Sequence, residues 1–426
     1  IKRSLHRFGD GWHYVKNSKN RNKMMRRIFS LLSIICAVIV GANASVLGIF
    51  DDTNLPTPSE CGGVHRLEIV NGELYAATEK GIYKYSESAD TWDLWALENV
   101  NVMDFKTNGD EAVAVIAPED LKGFRAVEMA TLIRFNRNQP EWEDIMDAGM
   151  GYSYKGQSLT YVMRLAQHPA KPETLMVAAY PGIWISNDFG TTWSFKLDFL
   201  FAYNENQFLG WHPTIENVLF YTSESPIFAA QILRSENGGN NWDIINPDPV
   251  GDNSCHHLAF DPDNEDHILY SGEGSIFESN DCGKTWQCVY RDENFNDENS
   301  IGYAYNVMFD PTNTNIVYCV GACNVNQHIN IFRSTDKGKN WMHIAQSDTF
   351  NNHEYWPHES ILFNGKIYLY THNGVLAYKL DNSEVGNIAD DNTNETETLY
   401  DLTGHKVINP QPGTIYIQRG KKIIVK

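Results

Sequence analysis

Ser186-Asn187-Asp188-Phe189-Gly190-Thr191-Thr192-Trp193 decides the reading of this chain, because the same octapeptide pattern returns three more times. The further copies are Ser235 to Trp242 (SENGGNNW), Ser279 to Trp286 (SNDCGKTW) and Ser334 to Trp341 (STDKGKNW). The shared pattern is Ser-x-Asp/Asn-x-Gly-x-x-Trp. It is carried by Ser186, Asp188, Gly190 and Trp193, by Ser235, Asn237, Gly239 and Trp242, by Ser279, Asp281, Gly283 and Trp286, and by Ser334, Asp336, Gly338 and Trp341. Two decayed copies end at Trp92 (YSESADTW) and Trp142 (FNRNQPEW), and the six Trp stand 50, 51, 49, 44 and 55 residues apart. A near-constant period of this size marks a repeat architecture. Each conserved position of the pattern has a local job: the Asp or Asn accepts bonds from its own turn, and the Gly admits positive φ. The Ser adds a further bond and the Trp folds back over the hairpin. These residues hold turns, and none is read as catalytic.

Working outward, a short strand precedes each copy: Gly81 to Tyr83, Leu132 to Arg134, Gly182 to Trp184, Ile232 to Arg234, Ile276 to Glu278 and Ile331 to Arg333. A seventh, Gly374 to Tyr378, has the strand without the octapeptide. The unit starts repeat as well. Leu258 to Pro262 and Val307 to Pro311 end in Asp-Pro, Leu165 to Pro169 and Leu209 to Pro213 end in His-Pro, and three others end in Asn-Gly. A strand, a turn, two further strands, the octapeptide turn and a closing strand make a four-stranded blade. The expectation is an all-β, seven-bladed β-propeller of four-stranded blades over residues 45–380, with a small C-terminal β tail.

The four octapeptides and the Asp-Pro starts resemble the Asp-box (bacterial neuraminidase repeat) superfamily. Their ordering, DP-x-N…I-x-Y…I-F-x-S-x-D-x-G-K-x-W, is most similar to sortilin-type and xyloglucan-hydrolase-type propellers. The resemblance covers roughly residues 61–380 and speaks to fold more than to activity, because function lives in the site. The sialidase branch carries a Phe/Tyr-Arg-Ile-Pro motif, and the nearest string here, Phe124-Arg125-Ala126-Val127, departs at its last two positions. Sialidase activity is therefore not expected. The resemblance to xyloglucan hydrolases implies two propellers facing across a cleft, and this chain carries the repeats of one.

The ends read differently. Residues 1–23 are basic and patternless and are read as upstream, non-native sequence. Met24 to Arg27, the apolar run Ile28 to Val40 and Ala42-Asn43-Ala44 make a signal peptide over 24–44 with cleavage before Ser45. The apolar run is shorter than the roughly 20 residues that a bilayer demands, so no membrane span is expected in the mature form. Residues 381–398 form an acidic linker. The tail at 399–426, with YDLTGHKV, GTIYI and GKKIIVK, resembles part of a C-terminal sorting domain of Bacteroidetes secreted proteins and reads as three short strands. The implied location is secreted or cell surface, with the secretion machinery as a partner.

The whole chain has a formal charge of −20, and removal of residues 1–44 leaves 25 bases against 53 acids. Such a surface repels phosphate backbones, which excludes nucleic acid as the expected partner. Six cysteines remain after processing, with Cys282/Cys288 and Cys319/Cys323 as local candidate pairs and free thiols as the alternative. No metal ligand set and no cofactor motif with its required context is found.

Aligning the seven blade starts sets Arg66, Asp104, Arg164, Gln207, His256 or His257, Tyr305 or Asn306, and His358 or Glu359 at one mouth of the channel. The loops leading there are aromatic, Trp356 among them. Aromatic faces beside carboxylates and amides suit sugar rings, which offer C–H surface and hydroxyls. The leading expectation is a binder of glycans or glycoproteins without a recognisable catalytic set. A glycoside hydrolase is the alternative, with Asp104, Glu354 and Glu359 as catalytic candidates, since that chemistry wants two facing carboxyls. A protein-interaction scaffold is the second alternative.

Overall fold

The computed structural model describes residues 50–52, 58–119, 130–139, 141–146, 153–154, 157–158, 162–179, 182–198, 208–223, 231–247, 255–292, 300–323, 328–347, 359–371, 374–380, 399–400, 406–407, 415–418 and 421–424. The upstream segment, the signal peptide and the acidic linker lie outside the described residues. Among the described residues no helix is long and apolar enough to cross a membrane.

Six four-stranded antiparallel sheets follow one another at 64–96, 101–144, 162–198, 209–245, 255–291 and 303–346. The seventh has three strands from 359–379, and its fourth comes from the other end of the chain: Asp51–Asp52 pairs with Ala377 and Leu376. The sequence left blade 7 without a closing strand, and the structure supplies one that two acidic residues gave no sign of. First strands of adjacent blades pack together at most junctions, which makes them the lining of a central channel.

Burial explains the composition of the strands. In blade 5, Ile268–Gly272 and Ser275–Ser279 are buried at every residue, whereas the outer Gln287–Arg291 is exposed or half-buried throughout. Inner strands are covered on both faces by neighbouring blades and so read as continuous apolar runs, as do sandwiched sheets elsewhere. The buried apolar side chains accordingly form seven clusters, and each joins two adjacent blades. Between blades 4 and 5 the cluster includes Phe220, Ile232, Leu258, Tyr270 and Phe277. Each such side chain contributes about 1.5–3 kcal/mol relative to exposure, so the ring is held at its junctions rather than within single blades.

The four octapeptides form one and the same turn. Ser279 Oγ donates to Asp281 Oδ1 at 2.8 Å and accepts from Gly283 N at 2.8 Å, while Thr285 N donates to Asp281 Oδ1 at 2.8 Å. Equivalent bonds recur around Ser186/Asp188, Ser235/Asn237 and Ser334/Asp336. Trp242, Trp286 and Trp341 close it by donating Nε1 to the carbonyl of the turn glycine. The glycines have φ between +80° and +89°. Their second function was not legible. A Cβ on Gly283 would lie 2.7 Å from the Phe220 ring of blade 4, one on Gly338 3.0 Å from Leu269 of blade 5, and one on Gly239 3.2 Å from Ile185 of blade 3. The turn therefore seats its glycine on the preceding blade as well as shaping its own hairpin. Of the decayed copies, Trp92 stays buried beside Tyr85, whereas Trp142 is 46% exposed and plugs nothing.

The Asp-Pro and His-Pro starts also turn out to be one device. Asp310 Oδ1 accepts from Thr312 N and Asn313 N, and in the same place His212 Nδ1 accepts from Thr214 N and Ile215 N. Imidazole substitutes for carboxylate as turn acceptor only while neutral.

Of the two cysteine readings, the free thiol is the one found for the described side chains. Cys282 and Cys288 are both free, as is Cys319. Cys319 and Cys323 lie four residues apart in one strand, Val317–Cys323, where a rise of about 3.3 Å per residue keeps their Cα atoms beyond bridging distance. Among the described residues the tail forms four short strands where three were expected, Leu399–Tyr400, Lys406–Val407, Ile415–Gln418 and Lys421–Ile424, joined as one antiparallel sheet.

Candidate functional site

The first strands deliver their channel residues through a repeated irregularity. In blades 1, 2, 3, 5 and 6 the pairing of first and second strands slips by one residue immediately ahead of Arg66, Asp104, Arg164, His257 and Asn306. A bulge of this kind adds an unpaired residue and re-aims the side chain that follows. Glu359 opens the first strand of blade 7.

Five of the aligned residues meet. Glu359 accepts hydrogen bonds from Arg66 Nη1 and, at 3.2 Å through each oxygen, from Arg164 Nη2. His257 Nε2 stands 3.9 Å from the same carboxylate, and Arg66 Nε stands 3.9 Å from Asp104 Oδ2. Blades 1, 2, 3, 5 and 7 thus converge on one spot. The carboxylates differ in character. Asp104 is buried and fully engaged: its oxygens accept from Phe105 N at 2.8 Å and from Leu165 N of blade 3 at 3.0 Å, with Lys106 at 3.4 Å. Glu359 keeps a fifth of its side chain open. Asn306 reaches the next blade as Asp104 does, donating Nδ2 to Ser360 O at 2.6 Å.

Two participants were missed. Glu68 and Lys106 pair with each other and extend the network along the channel. Each stands two residues after an aligned position, Arg66 or Asp104, and the period-2 alternation of a strand was the signal that would have found them. Burial pushes the Glu68 carboxyl above its ordinary range, with Lys106 opposing. Burial alone would depress Arg66, but Tyr370 and the carboxylates of Glu359, Asp104 and Glu68 outweigh it, and the guanidinium stays charged. Burial lowers His257, partly offset by Glu359, and takes the adjacent His256 down to about 4. The two histidines alternate faces: His256 is buried, while His257 meets the channel and sets its ring edge-on to Phe208 at 5.6 Å.

Gln207, Glu354, Trp356 and His358 lie outside the described residues, as does the side chain of Tyr305. Among the described residues no group of three or more His, Cys, Asp or Glu is placed to hold a metal ion. What the cluster offers is a partly open carboxylate braced by two arginines, at a polar mouth.

Comparison with known proteins finds similarity to xyloglucanases and to YCF48. A xyloglucanase of a Paenibacillus species is 29% identical over 222 residues, which are 44% of this chain and 21% of the relative. Among solved structures, the GH74 xyloglucanase of Xanthomonas campestris superposes with a TM-score of 0.53 at 16% identity, covering 79% of this chain and 53% of that one. YCF48 from Cyanidioschyzon merolae superposes equally well, at 0.53 and 12% identity, over 78% of this chain and 98% of its own. YCF48 has also been solved bound to a D1 peptide. No family model matches the chain. The chain spans about a fifth of the curated xyloglucanase it matches and about half of the solved one. At these identities the structural likeness shows the propeller fold alone.

Proposed function

We propose that this chain is an exported, carbohydrate-active propeller of the xyloglucanase kind, which takes polysaccharide at the mouth formed by Arg66, Arg164, His257 and Glu359 and takes part in its hydrolysis. Sequence likeness to an enzyme named for xyloglucan favours this over a purely non-catalytic binder. The observation that carries the reading is Glu359, a carboxylate partly open to the mouth and oriented by two arginines from blades 1 and 3. Hydrolysis needs a second carboxyl facing the first across the sugar. Asp104 is ill suited to that role because its side chain is buried and each oxygen accepts from a backbone amide, whereas Glu359 stays partly open. Glu354 is this chain's own remaining candidate, and a facing propeller is the other source.

The same geometry favours a second reading, capture without cleavage. Glu359 accepts from both arginines, and an acid tied in this way suits holding a hydroxyl as well as attacking a glycosidic bond. Incubation of the full chain with xyloglucan and unsubstituted β-glucan, followed by assay of new reducing ends, separates the two. Release that disappears in Glu359→Gln supports the hydrolase. Retention of the polysaccharide without release replaces it with the binder, and neither release nor retention moves the weight to a protein partner.

A further inference from the structure

We propose that the hollow between the octapeptide turns of blades 5 and 6 is a second binding site, for one unit of a neutral, hydroxyl-rich sugar. It lies at the opposite end of the strands from Glu359 and stands independently of the channel reading. The hollow measures about 290 Å³, room for about ten waters by their share of liquid volume.

Its floor is built from buried charge. His267 Nδ1 lies 2.8 Å from Asp261 Oδ2 and Nε2 lies 3.0 Å from Glu278 Oε1, so the imidazole spans two carboxylates. Lys337 of blade 6 reaches back to Asp261 Oδ2 at 2.6 Å, and Gln287 donates to the other oxygen of Glu278 at 3.1 Å. The side chains of Asp261, His267 and Glu278 are all more than nine-tenths buried. Asp261 is taken up by His267 and Lys337, and Glu278 by His267 and Gln287, so neither carboxylate of the floor is left open to draw in a cation. The rim is made of the Asn264, Asn280 and Asn315 amides with Lys339 and Asp336. Amides offer donor and acceptor side by side, the pairing that vicinal hydroxyls satisfy.

The hollow is a departure from the repeat. In blade 4 the residue before the octapeptide is Arg234, whose stem spans to the next blade, packs over Phe220 and donates Nε to Cys282 O at 2.6 Å. The matching residue of blade 5 is Glu278, which turns inward onto His267 and leaves the space between turns open. Features that break a repeat's own rule are where function is expected.

The test is side-chain amide NMR of the full chain titrated with D-glucose, D-xylose and D-galactose. Shifts at Asn264, Asn280 and Asn315 with at least one sugar are expected, weakened about tenfold by Asn280→Trp, which fills the rim. Asn315→Ala is the second variant should the tryptophan disturb the turn, and Glu359→Ala should leave the shifts intact. Amides that no sugar moves, or shifts that survive both rim variants, overturn the site. Shifts present with no polysaccharide release would sink the hydrolase reading and leave this site standing, and release without shifts would do the reverse.

Discussion

Gly283→Ala puts the inter-blade role of the octapeptide glycine to a quantitative trial. Gly283 has φ +80°, and an alanine held in the left-handed region costs about 1–2 kcal/mol. Its Cβ would also fall 2.7 Å from Phe220 Cε1, inside a junction where overpacking costs about 1–3 kcal/mol more. Gly72 is the control. It has φ +77° and follows Asn71 in the Asn-Gly hairpin of blade 1, but a Cβ there meets nothing within 4 Å. Gly72→Ala therefore carries the backbone cost alone, and the two variants should differ by about 1–3 kcal/mol. Guanidinium denaturation of both, followed by Trp fluorescence and far-UV circular dichroism, reads the difference as a shift in midpoint at unchanged slope. Equal losses would refute the seating of one blade's turn on the blade before it, and would return these glycines to a purely local role.

Further outcomes follow from other parts of the ring. Asp104→Ala leaves Arg66, Lys106 and the Leu165 amide facing an empty place, and should lower stability by about 3–5 kcal/mol in the same denaturation assay. A loss under about 1 kcal/mol would contradict its place as a brace between blades 2 and 3. Trp92→Ala removes a buried plug and should cost about 3–5 kcal/mol, against a small effect for the exposed Trp142→Ala. Acid should weaken the fold. His168, His212, His256, His257 and His343 are each lowered, chiefly by burial, with His256 at about 4. A lowered histidine binds its proton in the unfolded chain first, so its contribution is complete above about pH 6.5 and drains away as pH falls toward the folded value. The drop of His256 from 6.5 to about 4 corresponds to an upper limit of about 3 kcal/mol. Melting temperatures should fall between pH 7 and pH 4, less steeply in His256→Gln, and a flat profile would contradict the assignment.

The ring was legible because each octapeptide encodes a turn locally, down to its Ser, Asp and Gly bonds. What crosses between blades was not. Neither the glycine's contact with Phe220 nor the closing of blade 7 by Asp51 and Asp52 leaves a local pattern, since both depend on residues distant in sequence. Alignment of blade starts does gather Arg66, Asp104, Arg164, His257 and Glu359, because equivalent positions of a propeller share one radius. It could not tell that Asp104 would be saturated by backbone donors while Glu359 stays partly open, nor that Glu68 and Lys106 extend the same face. The extra residues of the bulges are His65, Met103, Met163, His256 and Tyr305, each set between a small residue and the polar residue that follows.

The proposed function stands or falls with glycan binding at the arginine-braced mouth. Isothermal titration of a xyloglucan oligosaccharide into the full chain and into Arg164→Ala tests it most directly. Binding to the parent chain, weakened about tenfold or more once Glu359 loses its blade 3 partner, is the predicted result. Affinity unchanged by the substitution, or no binding to the parent, would contradict it.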